Sequence, residues 1–310
     1  MIKVFPEIFL LPSPCEKVIH NSLEKHEIKL FVKRDDLIHH EISGNKYRKL
    51  KYNLEYILNN NISSIITFGG AYSNHLYATA ALCNYYGLQS YGVVRGDGLD
   101  PDNPTLQFCI KNGMTLHFVC REEYRNKNNS SVVKKIIAQY NSAYVIPEGG
   151  SNQLSLLGVE EIWSELSVQL DKTPDYLFCA IGTGTTIAGL LKSAPDKCKL
   201  LGFPVLKTNH LEKEVLTLAG ENKKGNLSCH MDYHFGGYAK TTDQLRNFIK
   251  EFEAQTGIPI DTVYNAKALY GFFDLVEKGL ITKGSTIVWL HTGGLQGNDG
   301  MQYMISKKQD

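Results

Sequence analysis

Lys46, Arg48 and Lys49 crowd three cations into four positions of the stretch SGNKYRKL, residues 43–50. Lys46 and Lys49 are three apart, so on a helix they share a face. Ser43 is placed to cap such a helix, with Gly44 and Asn45 easing the chain into it. A helix start is a poor place for ammonium groups, because the macrodipole is positive there. An ordinary solvated face is the plain reading. The sharper reading puts an anion between the two lysines and leaves only one of them as a free cation.

A place for an anion is written in CAIGTGTTIAGLL, residues 179–191. An apolar strand runs through Gly182, Thr183, Gly184, Thr185 and Thr186 into a small-residue helix. Glycines let the backbone turn tightly and present amide N–H groups, threonine hydroxyls add donors, and the helix N-terminus adds positive potential. A plain Gly-Thr turn is the bland alternative. Two familiar phosphate motifs fail here: Leu190 and Leu191 stand where a Walker loop needs Lys and Ser/Thr, and Ile187 replaces the third Gly of the dinucleotide fingerprint. In TFGGAYSNHLYATAALCNYYG, residues 67–87, Gly69 and Gly70 end a strand, and Ser73, Asn74 and His75 open a helix. An N-cap explains Ser73 or Asn74 by itself. The functional alternative has the glycine amides meeting a carboxylate and Asn74 bonding a ring substituent. DTVYNAKALYG sets Tyr264 at a helix start, and STIVWLHTGGLQG ends a strand on His291, Thr292, Gly293 and Gly294. Three glycine-marked strand ends are expected to converge, as ligands lie beyond the carboxyl ends of parallel strands. A cofactor that combines a lysine imine with a phosphate then accounts for the lysine pair: pyridoxal 5'-phosphate, with Lys46 consumed and Lys49 on the phosphate.

The positioning elements follow from alternation. Strands are expected at 29–35, 64–69, 90–96, 115–120, 143–147, 176–182, 199–203 and 285–291, with helices at 74–87, 152–170, 185–194, 242–256 and 266–278 among others. Asn103, Pro104 and Gly113 bracket a further helix. This is an α/β pattern of open, mostly parallel sheets with helices on both faces. The expected division is a smaller αβ domain at 50–155 and a larger domain of 1–49 plus 156–310, with the site in the cleft between them.

Composition narrows the partners. The 310 residues carry 33 basic and 32 acidic side chains, a net charge of +1, and are 43% hydrophobic. Nothing in that balance calls for nucleic acid or an anionic membrane. No segment has the length and apolarity of a span, and the N-terminus lacks the apolar run and cleavage site of a signal peptide. Seven cysteines without a C-x-x-C pair fit buried thiols in a reducing cytoplasm. Cys229, His230 and His234 lack the further ligands of a metal site, so no metal is expected.

With these motifs in place, the chain resembles the pyridoxal-phosphate enzymes of the tryptophan-synthase-β fold. Within them it is similar to the 1-aminocyclopropane-1-carboxylate deaminase and D-cysteine desulfhydrase family. The likeness runs in order through VKRDDLIHHEISGNKYRKL, TFGGAYSNH, NPTLQF, IPEGGSN, GTGTTIAG, YHFGGYAK, VYNAKALYG and HTGGLQG. The resemblance implies Lys46 as the Schiff-base lysine, Lys49 as a phosphate ligand, and Thr183, Gly184, Thr185 and Thr186 as the rest of the phosphate cup. It implies Asn74 on the ring hydroxyl, Ser73 and His75 on the substrate side with Ser73 near the carboxylate, and Tyr238 and Tyr264 as active-site tyrosines. It also implies a homodimer.

One departure bears on the substrate. Ring-opening deaminases of this family have Glu after the tyrosine matching Tyr264, and Leu between the His and the two Gly of the last motif. Here those positions are Asn265 and Thr292. A carboxylate stabilises a pyridinium, a strong electron sink, whereas a neutral hydroxyl on the ring nitrogen gives a weaker one. The expected reaction is therefore β-elimination from a substrate such as D-cysteine, giving pyruvate, ammonia and sulfide. Ring opening of 1-aminocyclopropane-1-carboxylate is the alternative. A nicotinamide oxidoreductase is disfavoured by the missing third Gly and by Lys46, and a silent metabolite binder by the intact Lys46, Ser73 and Tyr264.

Overall fold

A computed structural model of the chain describes residues 8–100, 102–208, 210–220 and 225–307. Ten strands occur among them: β1 (Cys15–Val18), β2 (Lys29–Lys33), β3 (Ser64–Gly70), β4 (Gln89–Arg95), β5 (Met114–Val119), β6 (Tyr144–Ile146), β7 (Tyr176–Ile181), β8 (Lys199–Pro204), β9 (Leu227–Cys229) and β10 (Thr286–Leu290). They form two sheets. One has the order β1-β2-β10-β7-β8-β9, the other β5-β4-β3-β6. Every pairing is parallel except β1 with β2.

The central strands explain why the sheets are covered on both sides. All five residues of β10 and six of the seven in β3 are buried, the continuous apolar run that two-sided burial demands. In the larger sheet Phe178 stacks on Phe272 at 4.4 Å, and Trp289 meets Phe252 edge-on at 5.8 Å. These rings tie β7 and β10 to the helices Asn265–Glu277 and Asp243–Thr256.

The eight expected strands are present with ends shifted by at most two residues. The expected helices occupy Asn74–Tyr86, Gln153–Gln169, Thr185–Lys192, Asp243–Thr256 and Asn265–Glu277. Asn103 Oδ1 accepts from the amides of Thr105 and Leu106, with Pro104 at the first helical position. β1 and β9 were not expected. Both are short edge strands, fixed by the ladder of a neighbour rather than by a pattern of their own. The helix carrying Lys46 and Lys49 spans Gly44–Asn59 without a break, and the expected divisions after residues 49 and 155 both fall inside helices.

Candidate active site

A cavity of about 790 Å³ opens between the two sheets. Gly70 from the end of β3, Gly182 and Gly184 after β7, and Gly293 after β10 all line it. The three glycine-marked strand ends thus meet around one space. Lys46, Lys49, Ser73, Asn74, His75, Thr183, Thr186, Tyr238, Tyr264 and Thr292 line it too. Thr185 is not among the lining residues. It is fully buried behind the loop, its hydroxyl donated to Ser151 Oγ at 2.8 Å.

The start of the Gly44–Asn59 helix is built differently from the expectation. Ser43 occupies the N-cap position, but its side chain makes no capping hydrogen bond. The helix is seated instead on the turn after β10: the Asn45 amide donates to the Thr292 carbonyl at 3.2 Å. Gly44 has φ +63°, and a Cβ there would stand 1.9 Å from that same carbonyl oxygen. Only glycine permits this approach. Asn45 then bridges two parts of the site. Its Nδ2 donates to Thr186 Oγ1 at 2.9 Å, and its Oδ1 accepts from Lys46 Nζ at 2.7 Å.

No carboxylate pairs with Lys46 or Lys49 among the described residues. Lys49 Nζ donates to the Gly149 carbonyl at 3.1 Å. Burial lowers the Lys46 pKa to about 8, against a smaller opposing pull from Asp261. Burial and the Lys46 charge push Lys49 well below its ordinary value. An anion beside the pair would relieve both effects. The Gly182–Thr186 loop offers it a helix N-terminus, with Gly184 at φ +81° making the turn into Thr185–Lys192. Thr186 Oγ1 accepts from Asn45 and keeps its own proton to donate.

On the opposite wall, Ser73 caps its helix by accepting from the Leu76 amide at 3.2 Å, and still faces the cavity with its proton free to donate. His75 is buried. Thr67 donates its hydroxyl proton to the Ile146 carbonyl at 2.8 Å, so it accepts from His75 Nε2 at 2.9 Å. That network assigns the proton to Nε2. Nδ1 keeps a lone pair with no hydrogen-bond partner among the described residues. Burial, with Lys46 and Lys49 nearby, holds the ring neutral. Tyr238 and Tyr264 pack edge-to-face at 6.0 Å. Burial lifts both phenols, Tyr264 well above its ordinary value, so both stay protonated donors.

Asn265 and Thr292 form one buried unit. Asn265 Nδ2 donates to Asp261 Oδ1 at 2.6 Å and to the Gly293 carbonyl at 2.9 Å. Its Oδ1 accepts from the Thr292 amide at 3.1 Å and the Thr292 hydroxyl at 3.3 Å. Asp261 also accepts from the amides of Val263, Tyr264 and Asn265. Sequence reading missed Asp261, Asn45 and the seat made by Gly44. For Asp261 a signal existed, an acidic residue just ahead of a helix start, where its carboxylate collects free N–H groups.

The residues suit pyridoxal 5'-phosphate: a buried amine whose pKa is lowered, and a second amine with a helix N-terminus for the phosphate. Cys229, His230 and His234 lie elsewhere, with His230 stacked on Phe203 at 5.3 Å and His234 Nδ1 accepting from the Gly236 amide.

Known proteins agree with this reading. Residues 9–293 match the model of the pyridoxal-phosphate dependent enzyme family. An Arabidopsis thaliana protein named bifunctional D-cysteine desulfhydrase/1-aminocyclopropane-1-carboxylate deaminase, mitochondrial, is 33% identical over 293 residues, covering 87% of this chain and 73% of that protein. A crystal structure of an ACC deaminase homologue superposes with a TM-score of 0.81 at 26% identity, over 96% of this chain and 95% of that one. Serine racemase from Dictyostelium discoideum shares the fold, with a TM-score of 0.67 at 17% identity over 91% and 92% of the two chains. The chain belongs to the pyridoxal-phosphate dependent enzyme family, among the relatives of 1-aminocyclopropane-1-carboxylate deaminase and D-cysteine desulfhydrase.

Proposed function

We propose that this enzyme eliminates the β-substituent of D-cysteine, giving pyruvate, ammonia and sulfide. The observation that carries this choice is the Asn265–Thr292 unit. The carboxylate behind this unit, on Asp261, is occupied by N–H donors and reaches Thr292 through the Asn265 amide. A neutral Thr292 hydroxyl at the cavity wall, its proton given to Asn265 Oδ1, suits loss of a good leaving group better than ring opening of a substrate with no α-proton.

Pyridoxal phosphate, when bound, supplies an electron sink for negative charge at the substrate Cα. Lys46 would hold its aldehyde, Lys49, Thr183, Gly184 and Thr186 its phosphate, and Asn74 its ring hydroxyl, with Thr185 bracing the loop from behind. Lys46 Nζ would also take the Cα proton of the bound substrate. Its low pKa makes it a usable base near neutrality, and Asn45 Oδ1 aims it. The Ser73 hydroxyl donates to the substrate carboxylate, and His75 lines the same side. The protonated Tyr264, backed by Tyr238, donates to the departing sulfur.

The two-unit division follows the two sheets in this reading, with the smaller unit near 50–155. A cytoplasmic site is supported by seven free thiols, and a homodimer by the family resemblance. Light scattering tests the latter.

Deamination of 1-aminocyclopropane-1-carboxylate is the second reading, favoured by the name of the Arabidopsis relative. Product analysis separates the two. The holoenzyme is expected to release sulfide and pyruvate from D-cysteine, less from L-cysteine, and no 2-oxobutanoate from the cyclopropane. 2-Oxobutanoate as the main product would overturn the argument from Asn265 and Thr292.

A further inference from the structure

The cavity is more basic than its proposed cofactor and a cysteine require. Its lining carries Lys46, Lys49, Arg95, Arg121, Arg125 and Lys127 against one carboxylate, Glu148. The chain as a whole is almost balanced, so this concentration is not a matter of composition. Lys46 and Lys49 belong to the inner end. The other four stand at the outer end, on the side of the smaller sheet, where among the described residues only Lys127 is paired with a carboxylate, Glu148 at 3.0 Å.

The outer cations are organised. The buried Tyr124 ring lies between two of them, with the Arg95 guanidinium carbon 5.6 Å and Lys127 Nζ 4.9 Å from its centroid. Arg95 also lies across Gly70, its Nη2 3.3 Å from where a Cβ would stand, at the strand end that leads into Ser73. Arg121 and Arg125 are one helical turn apart on Arg121–Arg125, and both line the cavity. Among the described residues neither makes a salt bridge. Unpaired guanidinium groups at the wall of a partly desolvated cleft favour an anionic guest.

We propose that the outer end of the cavity selects amino acids whose β-leaving group is itself an anion, such as a phosphate ester of serine. This rests on the elimination reading and extends it to the leaving group. For O-phospho-D-serine the Cα proton passes to Lys46, and the Cβ–O bond breaks with its electron pair on the phosphate oxygen. The released 2-aminoacrylate takes up water to give pyruvate and ammonia. One charge-assisted contact from a guanidinium group favours such a substrate on the order of tenfold to a hundredfold.

The test is steady-state kinetics of the holoenzyme on D-cysteine and O-phospho-D-serine, in the wild type and in the Arg121→Ala/Arg125→Ala double variant. Both positions are exposed, and the cofactor absorption band reports an intact site. The expected result is a KM for O-phospho-D-serine at least tenfold below that for D-cysteine. The ratio of the two kcat/KM values should fall at least tenfold in the double variant, through KM. Turnover of D-cysteine with O-phospho-D-serine neither consumed nor inhibitory would overturn the proposal, as would an equal loss on both substrates. If neither compound is turned over, yet O-phospho-D-serine shifts the absorption band of the wild type and not of the variant, the anion-selecting end stands and the elimination reading falls.

Discussion

The two faces of the Gly44–Asn59 helix carry the same kind of charge to opposite ends. On the cavity face, Lys46 and Lys49 have no carboxylate partner among the described residues and burial depresses both. On the other face, Arg48 is fully buried and fully partnered. Its guanidinium reaches Asp35 Oδ1 at 2.8 Å and Glu165 Oε1 at 2.6 Å, and Lys33 Nζ shares Glu165 at 2.5 Å. Arg48 and Lys33 with Asp35 and Glu165, and Glu161 at 3.9 Å from Arg48, make a largely buried ion-pair cluster joining β2, this helix and Gln153–Gln169. Where partners converge, the cation is a strut, and breaking the unit is costly. Where they are absent, the cation is left to meet a ligand, the role proposed for Lys46 and Lys49. That difference orders what substitution should do.

Lys46→Ala should have the largest effect, a loss of turnover on the order of a thousandfold or more, with the melting temperature little changed. Turnover assays beside calorimetry check both halves. Arg48→Met should do the reverse. It takes the cation from Asp35, leaves Glu165 with Lys33 alone, and should cost about 3–5 kcal/mol of stability by urea denaturation, with turnover per folded molecule retained. Gly44→Ala attacks the seat common to both faces. The clash with the Thr292 carbonyl, at a positive φ, should cost on the order of 3 kcal/mol and weaken cofactor binding as well. Lys49→Gln should raise the cofactor Kd on the order of tenfold to a hundredfold, read by fluorescence titration, with less loss of kcat. The smallest effect is one of pH. Because the Lys46 pKa is lowered, its neutral form grows through a midpoint at about pH 8 and levels only well above it. Capture of pyridoxal phosphate by the apoprotein should follow that curve. A rise continuing toward the ordinary lysine value of 10.5 would mean the amine is not buried as described.

Much of this was legible in the sequence, and what was missed has a common cause. The glycine-marked strand ends, the Gly182–Thr186 loop and the lysine spacing are local, and local pattern reports local geometry. The Asn103 and Ser73 caps are equally local. Arg48 reads like its neighbours, because its partners come from residues 13 and 117 positions away in the chain. Ser43 looks like a cap, but the docking surface for its helix is the turn at Thr292, which no window around residue 43 contains. Asp261 shows up as a helix-start acid, while the link from its neighbour Asn265 to Thr292 joins a helix start to the turn after β10, brought together only by folding. The cationic outer end is assembled from the end of β4, the Arg121–Arg125 helix and Lys127, none of which carries a motif.

The most direct test of the account is borohydride reduction of the holoenzyme followed by peptide mapping. A pyridoxyl phosphate mass increment on Lys46, with Lys49 unmodified, is the predicted result. The label on Lys49, or on a lysine outside the cavity, would contradict the assignment of the two lysines and the division of the helix into a reactive and a structural face.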